Sequence, residues 1–71
     1  MKAKLLHTLK MDKVQEGYVI WLYECKTSEG VIYYEGASNH YSGGRTYFEN
    51  KKELINFYNE WLLELGYKKI N

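Results

Sequence analysis

The segment YVIWLYEC, residues 18 to 25, sets the tightest limit on how this chain folds. Read as a strand it is apolar on both faces, with Val19, Trp21, Tyr23 and Cys25 on one and Tyr18, Ile20 and Leu22 on the other. That pattern suits a central strand whose two faces are both covered, or one that lies at an interface. The chain has only 71 residues, and at that size folding buries about 60% of the surface the unfolded chain exposes. One helix covers one side of a sheet, so the second face needs either the N-terminal segment or a partner.

The flanking segments supply the rest of a small sheet. From Lys2 to Met11 the odd positions carry Ala3, Leu5, His7, Leu9 and Met11 and the even ones mostly Lys and Thr, with Leu6 as the exception. This period of two predicts a half-buried strand. Asp12 to Gly17 reads as a turn, KTSEG at 26 to 30 as a hairpin connection, and VIYYEGA at 31 to 37 as the next strand. Thr46 to Phe48 is a short extended piece before a helix that Asn50 caps, with Glu53 completing a capping box and Gly66 at the far end. At 100° per residue, Leu54, Ile55, Phe57, Tyr58, Trp61, Leu62 and Leu65 fall within an arc of about 160°. Lys52, Glu53, Asn56, Asn59, Glu60 and Glu64 take the opposite side, with Leu63 an isolated exposed leucine. The expectation is one α+β domain over residues 1–71: an antiparallel sheet of three to four strands with one C-terminal helix packed on one face.

Composition narrows the function classes. Cys25 is the only cysteine, which excludes an internal disulfide and a Cys-rich zinc site and suits a reducing, cytoplasmic setting. The longest apolar run is far shorter than a membrane span, and the basic start, MKAKLLHTLKMDK, lacks the apolar core and cleavage site of a signal peptide. Formal charge is +1 with a pI near 7.8, whereas dedicated nucleic-acid domains tend to exceed about 9.

No segment names a reaction. Cys25 shares a strand face with Val19 and Trp21, the setting of an inert buried thiol rather than a nucleophile based by His7 or His40. Histidines at 7 and 40 and carboxylates on a solvated helix side match no metal-ligand spacing. No cofactor or metal is expected. Glu35, flanked by Tyr34 and Gly36, reads as an edge-strand carboxylate without an acid–base partner. The polar interruption NHYSGGRT, residues 39 to 46, places His40, Tyr41 and Arg45 around a Gly43-Gly44 turn. Five residues, Arg45 to Glu49, intervene between that turn and the Asn50 cap, too many for a phosphate loop. Lys51 and Lys52 sit in the first helical turn, where the macrodipole disfavours cations, so an anion held there by these lysines and Arg45 is the remaining ligand reading.

Two resemblances attach to these residues. GYVIWLYECKTSEGVIYYEGAS followed by Arg45 loosely resembles the core of GIY-YIG nucleases, although that family carries its arginine on a helix and Gly43-Gly44 precedes Arg45 here. GGRTYFENKKELINFYNEWLLELGY is similar to the second half of a WGR domain, a DNA-linked sheet-plus-helix module, with YEGAS standing where the signature would be. They imply a nuclease remnant and a nucleic-acid-binding module respectively. The residues themselves favour a non-catalytic protein that binds another protein through a tyrosine-rich patch drawn from Tyr18, Tyr34 and Tyr41, with a homodimer as a further option. Abundant Lys, Asn, Ile and Tyr with a single arginine and no proline is the bias of an AT-rich genome, such as suits a phage or mobile-element accessory factor or inhibitor.

Overall fold

The computed structural model describes residues 2–39 and 45–71. Four antiparallel strands form a meander in the order β1 (Lys2–Lys10), β2 (Val19–Lys26), β3 (Ile32–Ser38) and β4 (Thr46–Phe48), and a single helix, α1 (Lys51–Glu64), follows. The expected α+β architecture is the one observed, and the fourth strand is real. β2 and β3 are the two inner strands, which agrees with the apolar character of both faces of β2.

The turn chemistry explains the meander. Between β1 and β2 the Met11 and Tyr18 backbones bond (2.8 Å), and Gly17, at φ +79°, donates to Asp12 Oδ1. Asn39 extends the β2–β3 ladder with its side chain, accepting from Val19 N–H (2.9 Å) and donating to the Gly17 carbonyl (2.8 Å). The helix begins where Asn50 Oδ1 accepts from the Glu53 N–H. It ends in a Schellman motif: Tyr67 N–H bonds Leu62 O, Gly66 N–H bonds Leu63 O, and Gly66 takes φ +86°.

The helix lies on the face formed by Leu9, Ile20, Leu22, Tyr34, Gly36, Thr46 and Phe48. Leu54, Tyr58 and Leu62, at spacings of four, join Leu9, Met11, Ile20 and Leu22 in the buried core. Two features depart from the sequence reading. The simple alternation of β1 is broken by a bulge between Leu5 and His7: Leu5 pairs with Tyr23, but His7 pairs with Leu22. The extra residue, Leu6, flips the pattern, so Leu9 and Met11 are buried while Leu5 is half exposed on the other face. N-terminal residues thus form an edge strand inside the sheet and do not fold over its second face.

The second departure is on the helix. Phe57, expected within the buried arc, is 47% exposed and stacks on Phe48 of the β4 edge (5.3 Å between ring centres). Asn59, expected in solvent, is buried because the C-terminal tail returns along its flank. Its side chain donates to Ile70 O (2.9 Å) and accepts from Ile70 N–H (2.7 Å), pairing with the tail backbone as a strand would. Lys13 fixes the start of that tail, bonding Gly66 O through Nζ and Tyr67 Oη through its N–H. Asn59→Ala is expected to cost about 2 kcal/mol by stranding two backbone groups and to free the tail. Hydrogen exchange at Ile70 checks this: an amide as protected in the variant as in the parent would refute the docking role.

Candidate functional site: the uncovered sheet face

Side chains alternate across the sheet, so the register places a defined set on the face away from α1. β2 contributes Val19, Trp21, Tyr23 and Cys25, β3 their partners Ala37, Glu35 and Tyr33, and β4 contributes Tyr47 opposite Glu35. β1 adds Ala3, Leu5 and Thr8 opposite Cys25, Tyr23 and Trp21. Among the described residues no element packs over this face. Trp21, Tyr23 and Tyr33 are half-buried, and Tyr47 is 62% exposed. Tyr33 and Tyr47 form a tilted ring pair with centres 6.1 Å apart.

Polar groups sit within this aromatic field. Glu35, on an inner strand rather than an edge, is 8% exposed, and its carboxylate meets the Arg45 guanidinium at 3.7 Å. Arg45 remains largely in solvent. Trp21, Tyr23, Ala37, Glu35 and Arg45 border a depression of about 450 Å³. Cys25 is buried under its neighbours, and burial pushes its thiol up, with the nearby Glu35 charge adding to the effect. A thiol shifted that way is less of a nucleophile at neutral pH.

The residues picked out from the sequence are dispersed. Tyr18 and Tyr34 lie on the helix side, packed against the core. Tyr18 is edge-on to Trp61 (6.4 Å), and the Tyr34 hydroxyl donates to Glu24 Oε1 (3.1 Å). Burial, reinforced by that carboxylate, raises the Tyr34 phenol. Arg45 engages Glu35 on the uncovered face, whereas Lys51 and Lys52 are exposed in the first turn of α1 on the other. His40 and Tyr41, like the Gly43-Gly44 turn, lie outside the described residues. His7 Nε2 contacts the Asn71 carbonyl at 2.9 Å. Trp21, Tyr23, Tyr33 and Tyr47 were missed as a group because their convergence depends on the β2–β3–β4 register. The odd positions of YVIWLYEC were the available signal.

Among the described residues no three of His, Cys, Asp and Glu gather as a metal would require, and no helix is long and apolar enough to cross a membrane. No protein-family model matches the chain, and neither a curated protein nor a solved structure matches it.

Proposed function

We propose that this chain is a small non-catalytic binding protein that acts through protein–protein contact, with the uncovered face of the sheet as its contact surface. The observation that carries the reading is the convergence of Trp21, Tyr23, Tyr33 and Tyr47 on a face over which, among the described residues, no element packs. Aromatic rings combine large area with few rotatable bonds and dominate the energetic centres of interfaces. The Arg45–Glu35 pair gives such a surface a polar element of fixed position. Near-neutral charge agrees with a protein partner, and a second copy on the same face is the homodimeric form of the contact. The AT-biased composition and the single buried thiol fit a cytoplasmic phage or mobile-element accessory factor or inhibitor.

A second reading has one specific observation behind it. The same rings, flanked by Arg45 and by Lys10 of β1, form a platform of the kind on which single-stranded bases stack. The protein-contact reading predicts oligonucleotide binding no tighter than roughly 10⁻⁴ to 10⁻⁶ M at about 150 mM salt. Submicromolar binding with a steep salt slope, lost in a folded Trp21→Ala variant, would replace it with the nucleic-acid one.

The direct test is isolation of the partner from the native host, followed by titration of the purified pair. Trp21→Ala is expected to weaken that complex about thirtyfold, equivalent to about 2 kcal/mol for a central aromatic. Lys52→Ala, on the opposite side, is expected to leave it unchanged. Full affinity in a folded Trp21→Ala, Tyr47→Ala double variant would remove the uncovered face from consideration.

A further inference from the structure

A second concavity, of about 390 Å³, opens on the other side of the sheet, between α1 and the strands beneath it. This volume is in the range of small-molecule sites. Its walls are aromatic. Trp61 stands between Tyr18 and Tyr58, with ring centres at 6.4 and 6.5 Å and interplanar angles of 70° and 68°. Both tyrosine rings stand steeply against Trp61, and all three rings border the same hollow, where the negative π face of an aromatic ring attracts a cation.

The polar groups of this cleft share one character. Glu60 and Glu64 border it, one turn apart on α1, and among the described residues that line it there is no Lys, Arg or His. Among the described residues the Arg45–Glu35 contact is the one ion pair, so neither Glu60 nor Glu64 is neutralised by a described cation. Ser38 adds a buried hydroxyl oxygen with no hydrogen-bond partner among the described residues, the kind of group that calls for an explanation in a folded protein. Aromatic faces and carboxylates attract the same charge.

We propose that the cleft between α1 and the sheet binds a small organic ammonium cation, with the nitrogen among Tyr18, Tyr58 and Trp61 and its charge balanced by Glu60 and Glu64. Cation–π attraction strengthens as water is excluded, and the rings supply that exclusion while the carboxylates stay at the solvent rim. Positive charge, rather than apolar bulk, is therefore the selected property. The site is on the opposite side of the sheet from the proposed contact face, so its failure would leave the protein-binding reading untouched.

Choline and its neutral carbon isostere, 3,3-dimethyl-1-butanol, are the probes, titrated into ¹⁵N-labelled protein. Choline is expected to shift the Trp61 indole N–H and the Ser38 and Glu64 amides saturably, with a dissociation constant in the millimolar range or tighter, and to leave the Trp21 indole in place. The isostere is expected to bind at least about fivefold more weakly, because it loses the cation–π attraction. Glu60→Gln with Glu64→Gln changes only exposed side chains and is expected to weaken choline about three- to tenfold without altering the fold. Equal binding of the two probes, equal binding by the Gln variant, or shifts that stay linear up to roughly 50 mM choline would each overturn the proposal.

Discussion

Gly36→Val is expected to lose about 3 kcal/mol or more of stability, a large share of the roughly 4 to 10 kcal/mol available to a domain of this size. Gly36 is in the middle of β3 directly under α1, and its φ is not positive, so the requirement is for space and not for an unusual backbone. A Cβ built there falls 2.6 Å from Tyr58 Cζ and 2.8 Å from Cε2, inside the ring's van der Waals envelope. The ring is held in place, because its hydroxyl is tied to Thr46 Oγ1 at 2.8 Å and its flanks meet Phe57 and Trp61. Burial raises the Tyr58 phenol, so swinging it out of that bond would strand a neutral hydroxyl without its partner. A double-mutant cycle isolates the contact. Gly36→Ala is expected to be costly in the parent and to cost less than about 1 kcal/mol once Tyr58→Ala has emptied the space, as measured by urea denaturation. Equal losses in the two backgrounds would show that the glycine matters for some other reason.

Leu54→Ala is the second large effect, expected at about 3 to 4 kcal/mol, against a change within about 0.5 kcal/mol for Leu63→Ala. The two leucines lie on one helix and have similar propensity, so the contrast isolates burial. Leu54 is 0% exposed within the core, whereas Leu63 is 54% exposed. Truncating Leu54 leaves a hollow among rigid neighbours, and the loss combines transfer and cavity terms. Trp61, the largest side chain of the apolar arc, is only half-buried at the rim against Tyr18 and Tyr58, which moves the anchoring role to Leu54. Comparable losses at positions 54 and 63 would mean that the helix packs through a different face.

The helix was legible to the residue at its cap because its signals are local. Asn50, whose side chain accepts the Glu53 N–H, and Gly66 act within one turn of their own backbone, and the spacing of Leu54, Tyr58 and Leu62 follows from the helical repeat; the Glu53 side chain makes no return bond to the cap among the described residues. The strand spans were nearly as legible, since β-rich runs alternate with glycine-closed turns. What failed did so at long range. Nothing near Leu6 announces a bulge, because a bulge is settled by which partner residue the other strand offers. Asn59 looks like any surface amide until the tail, eleven positions later, returns to meet it.

The candidate site divides in the same way. That β2 is apolar on two sides, and that one helix covers only one of them, follows from the alternation in YVIWLYEC alone, since side chains of successive strand residues point in opposite directions. Which tyrosines gather on the uncovered side follows from register, a property of strand pairs: Tyr33 and Tyr47 join Trp21 and Tyr23 because β3 and β4 pair as they do, while Tyr18 and Tyr34 fall by parity beneath the helix. A shift of one residue would exchange those sets. Local hydrogen bonding and periodicity are written residue by residue along the chain, whereas register, bulge and tail docking are energies of contact between distant segments and exist only once the segments have met.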